Sequence, residues 1–228
     1  MLGMIGAMGK EVDALRQQMT KTEEKQTGFS HFTVGTLWGE SVCLAQCGIG
    51  KVHAALCAQS MITDFKVSAI LNIGVAGALR PSLSIGDAVV ADSAVQHDMD
   101  TSPIGDPVGM VSGPNIVHFP CDSTLSSLLK RAAEEAGLRW ESGAVATGDQ
   151  FIVGTEKKSF LADTFGAAAC DMEGGAIAQC CYEMNVPYAA IRLISDTRDG
   201  DGREYMEKAL YACACEENLL RRFIMLYQ

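Results

Sequence analysis

The segment AAACDMEGGAIAQCCYEMNVPYAAIRLISD, residues 167–196, places a helix of small residues between two apolar stretches. Residues 167–171 and 188–196 are predicted strands, and the order strand, helix, strand is typical of a parallel βαβ unit. In α/β proteins, ligands bind where such strands end and the next helix begins. Glu173 and Asp196 stand at those two positions, so the segment predicts both an α/β fold and a site.

Apolar stretches alternate with helical patterns along the rest of the chain. The other predicted strands span residues 2–7, 31–37, 41–47, 69–75, 87–94 and 142–147, and the other predicted helices span residues 10–19, 51–64, 123–136, 156–165 and 204–227. Trp38-Gly39-Glu40 predicts a hairpin turn, so the sheet is expected to be mixed. Residues 101–120, rich in proline and glycine, form the one long irregular segment. We predict a single domain over residues 1–228, a three-layer α/β/α sandwich with a mixed central sheet.

Composition excludes several classes of protein. The chain has 228 residues, 48% of them hydrophobic, and a net charge of −10. The apolar content favours a packed globule, and the negative charge argues against a nucleic-acid partner. No stretch of 18 apolar residues or signal-peptide pattern is present, so we expect neither a membrane span nor secretion. The nine cysteines lack Cys-x-x-Cys spacing, which favours reduced thiols in the cytoplasm over a zinc site.

Seven short segments form an ordered set over most of the chain. They are GMIGAMGKEV (3–12), CGIGKVHAA (47–55), NIGVAGAL (72–79), HDMD (97–100), TGDQFI (147–152), DMEGGAIA (171–178) and IRLISD (191–196). In this order they resemble the 5'-methylthioadenosine/S-adenosylhomocysteine nucleosidases of the nucleoside phosphorylase superfamily. The resemblance implies a nucleoside phosphorylase-like fold, a small nucleoside substrate, a homodimer, and no metal or organic cofactor.

Hydrolysis of the N-glycosidic bond of a nucleoside has three requirements. The purine leaves more easily when N7 is protonated, the ribosyl group gains positive charge, and a water molecule must lose a proton as it attacks C1'. Glycosidases meet similar demands with two carboxyl groups, an acid and a base. By resemblance, Asp196 is the acid at adenine, Glu11 is the base, and Glu173 binds the 2'- and 3'-hydroxyls. Taken alone, each residue also fits a helix cap or a first-turn acid.

Other residues are predicted to position these groups or to contact the substrate. Arg192 lies on the strand that ends at Asp196 and can orient a carboxylate or the water, although a surface ion pair is the simpler interpretation. Phe151 offers the purine a stacking face, and the Ile152 backbone offers polar groups. The predicted substrate contacts are Met8, Ile49, Val75, Ile104, Phe151, Ile152, Met172 and Ser195. For the two methionines, core packing is the common alternative.

Two positions depart from the family pattern. Many relatives carry serine where this chain has Val75, whose side chain cannot hydrogen-bond to the water. In the family, loop 101–112 crosses into the partner's site and often carries an aromatic residue near the position of Ile104. Isoleucine there remains compatible with a 5'-alkylthio group.

Three alternatives to the nucleosidase remain. A phosphorylase would use phosphate instead of water, but arginines are absent between Arg16 and Arg80, and Glu11 would repel the anion. A futalosine-type hydrolase would differ in the base or the 5' tail. A non-catalytic nucleoside-binding or storage protein would need none of the three carboxylates. The HDMD segment, residues 97–100, looks superficially like a metal site, but its spacing on a strand would separate the ligands.

Overall fold

The computed structural model describes residues 1–200 and 202–228. The strands are β1 (Leu2–Gly6), β2 (Thr20–Thr27), β3 (Ser30–Leu37), β4 (Glu40–Gln46), β5 (Ala69–Asn72), β6 (Val75–Ala78), β7 (Ala88–Gln96), β8 (His118–Pro120), β9 (Trp140–Thr147), β10 (Ala167–Asp171) and β11 (Tyr188–Asp196). The α-helices are α1 (Gly9–Gln18), α2 (Lys51–Thr63), α3 (Ser123–Glu135), α4 (Thr155–Phe165), α5 (Gly174–Glu183) and α6 (Arg203–Tyr227), and a short 3₁₀ helix spans Ser102–Ile104.

All these strands belong to one mixed sheet in the order β2-β3-β4-β1-β5-β11-β6-β10-β9-β7-β8. The pairs of β1 with β4 and β5 are parallel, whereas β2, β3 and β4 are antiparallel neighbours. β7 also pairs with β11 in antiparallel fashion. Strands β11, β6, β10, β9 and β7 therefore close into a ring, and β11 belongs to both the ring and the open half of the sheet.

Helices cover both faces of the sheet, which confirms the predicted three-layer α/β/α class. Buried side chains of α1, α3 and α6 share one core with the strands, whereas those of α2 and α5 share another. α4 packs with β9 and β10 in a third cluster that includes Leu161 and Phe165. In α1, α3 and α6 the apolar periodicity selects the face that packs against the sheet. No helix in the described parts of the chain is both long and apolar enough to cross a membrane.

The predicted single strand over residues 69–75 is wrong. The chain instead forms β5 and β6, which lie on opposite sides of β11. The break is at Gly74, whose φ of +130° is rarely adopted by residues with a side chain. The apolar run correctly predicted that residues 69–75 are buried, but it did not predict the turn at Gly74.

Two strands were absent from the sequence prediction. Every residue of β2, TKTEEKQT, is exposed, so it lacks the alternation of a strand with one buried face. β8 has three residues and lies inside the segment predicted to be irregular. The predicted hairpin is confirmed: β3 and β4 are joined by Trp38 and Gly39, both at positive φ, as two-residue hairpin turns require.

Candidate active site

A cavity of about 360 Å³ opens where β1, β10 and β11 end, a volume suited to a small ligand. Ten of the twelve predicted site residues line it, while Arg192 and Ile104 do not. The ten are Met8, Glu11, Ile49, Val75, Phe151, Ile152, Met172, Glu173, Ser195 and Asp196. The remaining lining residues are Ala7, Ala76, Gly77, Gln150, Cys170, Asp171 and Tyr205. Residues far apart in the sequence therefore converge at one edge of the sheet.

Glu11, in the first turn of α1, is held by three backbone amides. Its Oε2 accepts hydrogen bonds from Ala7 N (2.8 Å) and Met8 N (2.9 Å), and its Oε1 accepts one from Val75 N (3.1 Å). Burial raises the pKa of Glu11, while these amide bonds and the charge of Arg192 act in the opposite direction. A fixed carboxyl group with a raised pKa is suited to general-base work near neutral pH.

Glu173 stands at the start of α5 on another wall of the cavity. Its Oε1 accepts a hydrogen bond from Gly50 N at 2.8 Å, so the turn after β4 fixes the carboxyl group. Burial, followed by the negative charge of Asp171, raises the pKa of Glu173 to about 8. The carboxyl group faces the cavity, where it can accept hydrogen bonds from vicinal hydroxyls.

Arg192 lies beneath the cavity and is 2% exposed. Its Nε and Nη2 donate to Asp171 Oδ2 at 3.0 and 2.6 Å, and Nη2 also donates to Asn72 Oδ1. Of the two roles predicted for it, this geometry favours orienting a carboxylate. Its positive charge also lowers the pKa of Glu11 and Glu173, against the effect of burial.

Asp196, the last residue of β11, is 2% exposed and has a cationic partner that the sequence did not predict. Lys158 Nζ, on α4, donates to Asp196 Oδ2 at 2.7 Å and to Thr197 O at 2.7 Å. Ser195 Oγ donates to Asp196 Oδ1 at 3.0 Å. The sequence predicted the burial of Asp196 but not its ion pair with Lys158. A signal for Lys158 was present, since it shares the buried face of α4 with Leu161 and Phe165.

An aromatic pair forms part of the apolar wall. The rings of Phe151 and Tyr205 meet edge to face, with centroids 5.2 Å apart. Tyr205 was not predicted as a site residue; its hydroxyl contacts Met8 Sδ at 3.3 Å and accepts a hydrogen bond from Lys10 Nζ at 3.0 Å. Phe151 is half exposed, so this apolar wall extends from the interior of the cavity to its opening.

Ile104 and the HDMD segment lie outside this cavity. Ile104 is 82% exposed and does not contribute to the cavity of its own chain. Asp98 accepts hydrogen bonds from Lys51 Nζ (2.7 Å) and Asp149 N (3.0 Å), and thus ties two turns together. No group of three or more metal-ligating side chains converges within residues 1–200 and 202–228.

Comparison with known families identifies this arrangement. The family model described as "Phosphorylase superfamily" matches residues 2–224. The chain belongs to the phosphorylase superfamily. A 5'-methylthioadenosine/S-adenosylhomocysteine nucleosidase of Staphylococcus aureus (strain JH9) is 35% identical to this superfamily member over 215 residues, which are 92% of this chain and 93% of the relative.

Solved structures agree with this assignment. The nucleosidase of the same name from Neisseria meningitidis, in complex with methylthio-immucillin-A, has a TM-score of 0.93 and 30% identity, covering 98% of this chain and 97% of that one. A futalosine hydrolase of Helicobacter pylori strain 26695 has a TM-score of 0.92 and 32% identity, covering 98% and 96%. The resemblance inferred from the seven segments, the fold class and membership of a nucleosidase hydrolase family are confirmed.

Proposed function

We propose that this phosphorylase-superfamily member hydrolyses the N-glycosidic bond of 5'-thio-substituted adenosines and releases adenine and the 5-thioribose. 5'-Methylthioadenosine and S-adenosylhomocysteine are the candidate substrates of this class, and 5'-deoxyadenosine, which lacks the sulfur and would release a 5-deoxyribose, is a further candidate. The observation that carries the proposal is the convergence of three buried carboxyl groups, Glu11, Glu173 and Asp196, on one cavity. The nucleosidase relatives support the same reaction.

At the purine end, Asp196 donates a proton to N7 while its second oxygen accepts from the 6-amino group. Lys158 stabilises the carboxylate that remains after this transfer, because its Nζ already lies 2.7 Å from Oδ2. Stabilising charge that develops during the reaction lowers the barrier. The Phe151–Tyr205 pair supplies an apolar face beside the base.

At the sugar end, Glu173 accepts hydrogen bonds from the 2'- and 3'-hydroxyls, and these strengthen as positive charge builds on the ribosyl group. Glu11 takes a proton from the water that attacks C1'. Val75 places a methyl-bearing side chain and its backbone amide at this point, so the amide, not a hydroxyl, fixes the Glu11 carboxyl group.

Water is favoured over phosphate as the nucleophile. The described residues that line the cavity include no lysine or arginine, and Glu11 and Glu173 add negative charge where phosphate would bind. A phosphate site needs cationic or backbone donors. A futalosine hydrolase is the second candidate, since a solved one has nearly the same fold similarity as the nucleosidase.

We propose a homodimer formed through the exposed face of α2. Val52 and Leu56 are 70% and 61% exposed, and Ile49, 53% exposed, continues this apolar face to the rim of the cavity. A second copy seated there would bring its loop 101–112 to the 5' end of the substrate. Light scattering should give twice the chain mass, whereas a Leu56→Glu monomer should have a raised KM for methylthioadenosine.

The protein is proposed to act in the cytoplasm as one domain without metal or organic cofactor. The nine cysteines are all free in the structure, and five of them are buried, as expected where thiols stay reduced. Fluorescence of a tagged chain in its host would test the compartment, and full activity after treatment with a chelator would test the absence of a metal.

The decisive experiment is product analysis with 5'-methylthioadenosine, with and without phosphate. Adenine and methylthioribose in both buffers would support the hydrolase, whereas a sugar 1-phosphate formed only with phosphate would indicate a phosphorylase. Adenine from futalosine-type substrates alone would favour the second candidate, and unchanged substrate with stoichiometric protein would favour a binding protein. Asp196→Asn and Glu11→Gln should each lower kcat by about 10²–10⁴-fold with the fold intact. Full activity in either variant would remove that residue from the mechanism.

A further inference from the structure

Glu216, on α6, is a buried carboxyl group that the proposed reaction does not use. It is 2% exposed, and its Oε1 accepts a hydrogen bond from Gly74 N at 2.8 Å. The next amide in the chain, Val75 N, donates to Glu11 Oε1 at 3.1 Å. Consecutive amides of one turn therefore fix the two carboxyl groups side by side.

A second cavity connects these two groups on the side away from the substrate. Its volume is about 220 Å³, and Glu11 and Glu216 line it together with Lys10 and Cys213. Glu11 also lines the first cavity, so it forms part of the wall between the two. At about 30 Å³ per water molecule, the second cavity has room for several waters.

Each turnover would leave a proton on Glu11, and Glu11 is 7% exposed. While sugar and adenine fill the first cavity, that proton has no direct route to solvent through it. We propose that Glu216 receives the proton from Glu11 and releases it to solvent through the second cavity. The inference rests on the proposed hydrolysis. Glu216 would contact neither the substrate nor the attacking water, so it acts through Glu11 and is a positioning residue.

Protons and electron pairs balance along this route. The attacking water loses a proton to Glu11 as its oxygen bonds to C1', and the C1'–N9 electron pair leaves with the purine, protonated at N7 by Asp196. Glu216, with a pKa of about 8, first releases its own proton to solvent through the second cavity. Its carboxylate then takes the proton of Glu11 through a water, which restores the Glu11 carboxylate. Asp196 regains its proton from solvent, so the net reaction consumes one water.

The environment of Glu216 suits a group that gains and loses a proton near neutral pH. Burial raises the pKa of Glu216 to about 8; the Gly74 amide and the charge of Arg192 act against this rise, and the charge of Glu11 adds to it. The titratable or charged groups that face it are Glu11 and Lys10 from α1, Arg192 from β11, and Cys213 and Glu217 from α6.

The first test compares Glu216→Gln with Glu217→Gln, a control in the same cavity lining. Glutamine keeps an acceptor for Gly74 N but cannot carry the proton. With 5'-methylthioadenosine, Glu216→Gln should lower kcat about tenfold or more, with KM nearly unchanged. Added imidazole should restore kcat, Glu216→Asp should retain part of it, and Glu217→Gln should match the wild type. The pH profile of kcat should change only in the Glu216 variants.

A second variant keeps the test valid if Glu216→Gln does not fold. Ala214→Leu narrows the second cavity without changing charge, and it should lower kcat while imidazole fails to restore it. Wild-type kcat and pH profile in both Glu216→Gln and Ala214→Leu would overturn the proton route alone. Failure of the wild-type protein to release adenine from any candidate substrate would overturn the proposed function and this inference with it.

Discussion

Replacing Lys158 with methionine tests the ion pair at the purine end. The Lys158 and Asp196 side chains are 0% and 3% exposed, and their charged atoms lie 2.7 Å apart. Removing one partner of a buried pair costs about 3–5 kcal/mol, because the other charge is left without compensation. At about 2–4 °C per kcal/mol for a chain of this size, the melting temperature should fall by about 6–20 °C.

The matched control is Lys157→Met, since Lys157 is exposed and should change stability by less than about 0.5 kcal/mol. Lys158→Met/Asp196→Asn should recover much of the lost stability, because it removes both charges. Thermal melts followed by circular dichroism at pH 7 compare five proteins: the wild type, Lys158→Met, Lys157→Met, Asp196→Asn and the double variant. A Lys158→Met melt equal to that of Lys157→Met, or a double variant as unstable as the sum of its singles, would refute the reasoning.

The same substitution has a kinetic consequence. Without the cation, the carboxylate that forms when Asp196 protonates N7 has no adjacent positive charge to stabilise it. We expect kcat for adenine release to fall in Lys158→Met and to stay at the wild-type value in Lys157→Met. An unchanged kcat in Lys158→Met would show that Lys158 does not stabilise charge on Asp196 during turnover.

Three further predictions concern the turn and the buried carboxyl groups. Gly74→Ala should abolish most activity, because a φ of +130° adds about 1–3 kcal/mol of strain to alanine and the new methyl group would meet Glu11. The control Gly28→Ala, at φ +60° and with no atom nearby, should lower stability but not kcat. Equal losses of kcat in the two variants would contradict this. Val75→Thr should raise kcat about two- to tenfold, because its hydroxyl adds one hydrogen bond to the attacking water and such a bond contributes about 0.5–1.5 kcal/mol. An unchanged kcat would show that backbone contacts are enough to position the water. The pKa values of Glu173 and Glu216, both about 8, lie above their ordinary 4.5, so the folded state binds extra protons between these values. The contribution of these two groups to the free energy of unfolding should therefore be greatest below about pH 4.5 and should decline as the pH rises to 8. Melting temperatures measured over this pH range should decline less in Glu216→Gln than in the wild type. An equal decline in the two proteins would contradict the raised pKa of Glu216.

The sequence was sufficient to place a site residue where a local pattern of residues determines the end of its strand or the start of its helix. β11 is apolar up to Ile194 except for Arg192 and is buried along its whole length, so the pattern of residues alone places Asp196 at a strand end. The same holds for Glu173, which follows β10 and begins α5. The ordered family segments then brought Glu11 to the same site.

The sequence was insufficient where burial depends on distant partners. A charged residue in a helix usually faces solvent, so neither Lys158 nor Glu216 drew attention. Each nevertheless shares its helix face with buried apolar residues, Leu161 for the first and Leu219 for the second. That pattern indicates a buried charge, but only tertiary packing reveals whether its partner is Asp196 or a backbone amide.

The position of β11 divides the residues of the cavity into those at the centre of the sheet and those in surrounding loops. Asp196 ends a strand that is bonded to neighbours on both sides and buried throughout, so the proposed contact with the base would lie at the centre of the sheet. Met8 and Ile49, by contrast, lie in the loops just before α1 and α2. If the proposed substrate orientation holds, substitutions in these two loops would reshape the pocket for the 5' tail without displacing Asp196. A scaffold divided in this way can acquire new tail specificities through few substitutions.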